Sequence, residues 1–167
     1  MRFNKRVKKC LLNEMFIPNT EKRKGKYVFV GGVNNRDWAT LISVSKEMKD
    51  IKFVIVSGKS NISYQGEYEN IKFYEEISSK KYYNLMKNAY ITVCPLKENK
   101  VSGLINIIKS IQYGIPCIST NLYVTSKYYD NILREELLYE LCDKEELKEK
   151  IQHMYEISSE EYIKKWK

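Results

Sequence analysis

Two short segments hold the residues whose types and spacing could do chemistry. The first is Gly31-Gly32 followed by Arg36. The second runs from Val101 to Thr120, with Ser102, Gly103 and Leu104 where a helix should begin and Asn106 and Lys109 further along it. Paired glycines let a ligand approach the backbone, and an arginine offers a planar donor fork suited to phosphate. A helix start presents amide N–H groups with no partner inside the helix, which makes it an anion site. Together these features suggest a nucleoside diphosphate as the ligand.

Each feature has a plainer reading. Arg36 could be a surface residue at a helix start, although a cation there works against the helix dipole, and this favours a functional role. Ser102, Asn106 and Lys109 fall at i, i+4 and i+7, which expects a polar face opposite Leu104, Ile107, Ile108 and Ile111; that face either meets solvent or meets the ligand. His153, the sole histidine, stands on a charged C-terminal stretch without a nucleophile signature and reads as a surface or core residue. The fourteen tyrosines fall mostly at helix or strand spacing and read as packing rather than base stacking. The chain carries no Walker sequence, HExxH or EF-hand loop.

These residues need a scaffold, and the flanking pattern supplies one. Tyr27–Gly31 is an apolar run ending in the glycine pair, which reads as a buried strand and a tight loop. A helix over 37–49 follows, with Trp38, Leu41, Ile42, Ser45 and Met48 on one stripe. Lys52–Ser57 is a second strand with Gly58 at its end, and Ile71–Tyr74 a third. Ser78 and Ser79 can cap a helix over 80–88, after which Ile91–Cys94 is a strand that Pro95 ends. The helix after Gly103 closes at Gly114 and leads through Pro116 to a strand at Cys117–Thr120. Leu137–Cys142 is a sixth strand or a turn of helix. Asp143 with Glu146 forms a capping box for a helix through Tyr155, and Ser158 with Glu161 another for a short final helix. This alternation is an α/β pattern, a Rossmann-like parallel sheet with helices on both faces. In such sheets the ligand lies beyond the carboxyl ends of the strands where their order reverses.

Size and charge narrow the classes. The chain's 167 residues, with 43% apolar and 13% aromatic content, suffice for one well-filled core. Its formal charge of +8 is unevenly placed: residues 1–26 hold nine Lys or Arg against two Glu, a net of +7, and the rest carries +1. Residues 1–26 therefore read as a basic N-terminal segment and linker, and 27–167 as the folded domain. A solvated segment, or one that packs on a neighbour, explains the basic run better than contact with anionic lipid or nucleic acid does. No apolar run approaches the roughly 18 to 20 residues of a membrane helix, and no secretion signal is evident, so a cytoplasmic location is expected. Cys10, Cys94, Cys117 and Cys142 are too scattered for a disulfide framework or a zinc site, and Asn61-Ile-Ser reads as a chance glycosylation match.

The ordered combination resembles the C-terminal, nucleotide-sugar-binding half of GT-B glycosyltransferases of family 4, often called group 1. Tyr27 to Ile42 resembles members with a Gly-Gly loop and an Arg-Asp-Trp helix start. Ser102-Gly103 through Gly114-Ile-Pro116 resembles their Ser-Gly, helix, Gly-x-Pro block, and Phe16-Ile-Pro-Asn is similar to their interdomain linker. The resemblance implies a nucleoside-diphosphate sugar as substrate and an acceptor domain preceding residue 16, in cis or in trans, without which this half is inactive. It also implies a glycan or lipid-linked acceptor of surface polysaccharide assembly, and hence a place at the inner face of the membrane. Arg36 would balance the leaving diphosphate's charge, and the backbone near Ser102, Gly103 and Leu104 would hold its oxygens without a required metal. Gly58 and Tyr74 would lie beside the nucleoside. Two glutamates that usually flank the helix after Gly103 are replaced here by Val101 and Lys109, which opens an alternative: a decayed, non-enzymatic nucleotide-binding or scaffolding module.

Overall fold

Short apolar strands, the central ones buried along their length, and capped amphipathic helices between them build alternating β and α elements. The structure, a computed structural model, describes residues 25–59 and 68–157. The strands are β1 Tyr27–Gly31, β2 Lys52–Ser57, β3 Ile71–Glu75, β4 Ile91–Cys94, β5 Cys117–Thr120 and β6 Leu138–Tyr139. The helices are α1 Trp38–Glu47, α2 Ser79–Lys87, α3 Leu104–Gln112, α4 Tyr123–Ser126, α5 Asn131–Leu137 and α6 Lys144–Glu156. The basic stretch through Lys24, the Phe16–Thr20 turn, Asn61 and the Ser158–Glu161 cap lie outside the described residues.

All six strands pair in parallel, in the order β3-β2-β1-β4-β5-β6. The order reverses between β1 and β4, so the loops that leave Gly31 and Cys94 flank the crevice where this sheet class binds ligands. Alternation along the strands sorts the two faces. Val28 and Val30 pack with α1 and α6, whereas Phe29 and Val56 pack with α2. Thr92 is in register with Phe29 and therefore points to the α2 face, where its Oγ1 donates to Ser110 Oγ of α3 at 2.7 Å. Helices α2 and α3 thus cover one face, and α1 and α6, in contact with each other, cover the other.

The caps explain where helices begin. Asp37 accepts from Thr40 N, Ser78 from Lys81 N, Asp130 from Leu133 N and Asp143 from Glu146 N, each cap being worth about 1 kcal/mol. Helix α1 therefore starts at Trp38, one residue after the expected start at Asp37, which is its cap. The capping box expected at Asp143 is only half formed, because Glu146 Oε2 accepts instead from Glu140 N at 2.6 Å. Leu137–Cys142 resolves into the end of α5 and the short β6, with Cys142 at φ 62° after it. Among the described residues no helix is long and apolar enough to cross a membrane.

Candidate functional site

The loop after β1 turns back at once and is laced to the loop after β4. Arg36 bridges Leu96 in antiparallel fashion, and Asp37 N donates to Pro95 O at 2.8 Å. Asn35, held at φ 55°, completes a two-way pairing: its Nδ2 donates to Glu98 O at 2.9 Å, and Glu98 N donates to its Oδ1 at 3.0 Å. Asparagine tolerates this left-handed backbone because its short amide bonds locally. The two loops at the reversal point thus form one unit.

At its centre lies Arg36, only 5% exposed. Its Nε donates to Gly31 O at 3.1 Å and its Nη1 to Asn34 O at 2.8 Å. Two glycine turns close over the guanidinium. Gly32 sits at φ 136° and a Cβ there would strike Arg36 Nη2; Gly103 sits at φ 89°, and a Cβ there would lie 2.8 Å from Nη1 and 2.9 Å from Nη2. Both the backbone conformation and the space thus demand glycine. Ser102 Oγ donates to Asn34 O at 3.3 Å, and Asn106 Nδ2 donates to Gly31 O at 2.8 Å. A side chain on Gly31 would collide with the Tyr82 phenol.

The electrostatics of this junction are one-sided. Among the described residues no carboxylate forms an ion pair with Arg36, since the pairs present are Lys59–Glu76, Lys100–Glu98, Lys148–Glu47 and Lys150–Glu146. Asp37, its neighbour, is occupied as the α1 cap through Thr40 N and Oγ1. A buried cation satisfied by neutral carbonyls leaves a net positive potential beneath the glycine turns. Helix α3 adds to it, because Gly103 is its N-cap without a side-chain cap bond, and the first amides, at Leu104 and Ile105, have no acceptor inside the helix. Burial pushes the Tyr82 phenol up to about 12, against a bond to Asn106 that works the other way, and burial pushes the Cys94 thiol up to about 12.

The structure brings Gly31, Gly32, Arg36, Ser102, Gly103 and Asn106 into direct contact, with Leu104 next to Gly103. Gly58 joins through the loop, as its Cβ position lies 3.0 Å from Val33 Cγ1. Tyr74 and Lys109 find their neighbours on α2 instead: Lys81 Nζ lies 4.7 Å from the Tyr74 ring centre and Lys109 Nζ 6.0 Å from that of Tyr83. The expected polar face of α3 is corrected. Asn106 and Ser110 are buried with Ile107 and Ile111, because Gly31 O and Thr92 require polar partners inside the sheet–helix interface, while Leu104 and Ile108 are only half-buried. Arg36 likewise turns inward rather than reaching out from the foot of α1. Asn34, Asn35 and Tyr82 escape sequence reasoning; the Gly-Gly-x-Asn-Asn run was the available signal for a strained, hydrogen-bonded turn. No group of three or more His, Cys, Asp or Glu placed to hold a metal occurs among the described residues.

A family model described as glycosyl transferases group 1 matches residues 24–156. A comparison with curated proteins finds no match. Among solved structures, the spinosyn rhamnosyltransferase SpnG complexed with thymidine diphosphate aligns with a TM-score of 0.61 at 12% identity, covering 86% of this chain and 41% of that one. The glycosyltransferase GlyE of Streptococcus pneumoniae TIGR4 aligns at 0.55 and 10%, covering 92% and 39%. The lipopolysaccharide outer core galactosyltransferase WaaB, in its apo form, aligns at 0.54 and 16%, covering 88% and 46%. These likenesses show the GT-B type of fold, and the chain spans less than half the length of each of these proteins.

Proposed function

The chain belongs to the group 1 glycosyl transferases, and from that premise we propose that it is the donor-binding half of such an enzyme, holding a nucleoside-diphosphate sugar in the crevice between the loops after β1 and β4. The observation that carries this reading is the meeting of Gly32 and Gly103 over the buried Arg36 cation. The diphosphate rests on the backbone of the two turns and the α3 N-terminus, with Gly58 toward the nucleoside. During transfer the bond from sugar C1 to the β-phosphate oxygen breaks and its electron pair stays on the diphosphate. Arg36 and the amides near Ser102, Gly103 and Leu104 stabilise that charge electrostatically, without a metal. The new bond forms from C1 to a hydroxyl of a glycan or lipid-linked acceptor, with retention at C1 and with that hydroxyl's proton released. The acceptor belongs to surface polysaccharide assembly at the inner face of the membrane and is presented by an acceptor domain in cis or in trans. The thymidine diphosphate complex of SpnG makes that nucleotide one natural probe.

The test is calorimetric titration with uridine, guanosine and thymidine diphosphates. Saturable heat with at least one of them is expected, and none at millimolar ligand removes the reading. Val101 and Lys109, where the resemblance implies glutamates, support a second reading as a non-enzymatic nucleotide-binding or scaffolding module; Val101 is 82% exposed beside the site and offers no hydrogen bond to a sugar. Measured sugar transfer when the chain is joined to its acceptor domain excludes that second reading.

A further inference from the structure

The outer side of α2 has no part in the donor site, yet it gathers several lysines. An open groove of about 590 Å³ runs along it, lined by Lys80, Lys81, Lys87, Tyr83 and Tyr113 with a serine and an asparagine, and no carboxylate. Lys80, Lys81 and Lys87 are exposed. Lys72 and Lys81 approach the Tyr74 ring at 5.3 and 4.7 Å, and Lys109 approaches that of Tyr83 at 6.0 Å, so cations and tyrosines interleave across the face. The nearest acids in the chain precede the groove, and Glu76 there is paired with Lys59.

From this we infer that the α2 face is a docking surface for anionic phospholipid headgroups of a bilayer. Charge complementarity selects an anionic partner, and the tyrosines select a membrane over nucleic acid. The rings of Tyr74 and Tyr83 carry lysine ammonium groups near them and Tyr83 also makes an edge contact with Tyr82 at 5.4 Å, so a base stacking on either ring would have to displace a lysine. Half-buried tyrosines flanked by exposed lysines instead match the interfacial zone, where phenol rings sit at headgroup level and lysines meet lipid phosphates. The point of attachment of the basic segment agrees: Gly25 N donates to Asn88 O at 3.0 Å and Tyr27 Oη to Leu85 O at 2.6 Å, so the net +7 of residues 1–26 joins the fold at the C-terminal end of α2.

Co-sedimentation of the full chain with phosphatidylglycerol–phosphatidylcholine vesicles, against phosphatidylcholine alone, tests this. Binding is expected only with the anionic lipid, weakening steeply with added salt, and the triple variant Lys80→Gln, Lys81→Gln, Lys87→Gln should lower it about a hundredfold. Absence of binding, equal binding to both vesicles, binding unchanged in the triple variant, or binding to a single-stranded RNA oligomer in place of vesicles would each overturn the inference. Nucleoside diphosphate titration of the same variant should match the parent, so a failed donor site and a failed lipid surface are told apart.

Discussion

Arg36 and Asn106, far apart in the chain, donate to the same oxygen, the carbonyl of Gly31, at 3.1 Å from Nε and 2.8 Å from Nδ2. That carbonyl ends β1 at the point where strand order reverses, and both donors are buried. The pair therefore fixes the glycine loop and the start of α3 relative to each other, which is the spacing a bound diphosphate would need.

Removing the amide isolates this clasp. Asn106→Leu leaves Gly31 O short of a partner and places apolar bulk against Tyr82, so it should cost about 1–3 kcal/mol of stability. Urea unfolding of the variant should show the loss as a lower midpoint with an unchanged slope. An unaltered midpoint would mean that the bond contributes nothing.

The contact between Gly103 and the guanidinium calls for a double-mutant cycle. Gly103→Ala alone should destabilise by about 1–3 kcal/mol, from φ 89° and from the 2.8 Å approach to Nη1 together. In an Arg36→Ala background only the backbone part remains. The two losses should therefore fall short of additivity by about 0.5–2 kcal/mol, read from denaturant midpoints.

Alkaline pH should weaken the fold through groups buried in their neutral form. Tyr27 and Tyr82 rise to about 12 from 10.0, and Cys94 to about 12 from 9.0, each chiefly by burial. Folded pKa values raised above unfolded ones mean that the native state holds protons the unfolded state has lost, so this stability is complete below about pH 9 and is lost as pH climbs to 12. Melting temperatures measured across that window should fall steadily, and Tyr82→Phe should make the decline shallower. A flat profile would contradict the burial assigned to these groups.

Much of the scaffold was legible because strand and helix periods, caps and the Gly-x-Pro stop are local signals. The parallel strands β1 to β5 follow from apolar runs such as Tyr27–Gly31, and the sheet order places Gly31 and Gly103 together. Helices α4 and α5 were not anticipated; the Asp130 cap with Leu133 and Leu137 one turn apart was the signal for α5, in a stretch of mixed polarity. In the candidate site, the residue types were readable but their directions were not. Helical spacing places Asn106 beside Ser102 and Lys109, yet cannot reveal that a carbonyl at the end of β1 awaits its amide, nor that Arg36 folds inward beneath two glycines. Those outcomes depend on long-range partners, which a sequence pattern does not carry.

The central claim, that the junction of Gly32, Arg36 and Gly103 holds a diphosphate, is tested most directly by titrating the folded chain calorimetrically with uridine, guanosine and thymidine diphosphates and with the matching nucleosides. Saturable binding of a diphosphate, much weaker binding of its nucleoside, and a loss of about tenfold or more in Arg36→Ala, the scale of one charged hydrogen bond, are expected, with circular dichroism showing that the variant remains folded. No heat at millimolar ligand, or equal affinity in the parent and a folded Arg36→Ala variant, would contradict it.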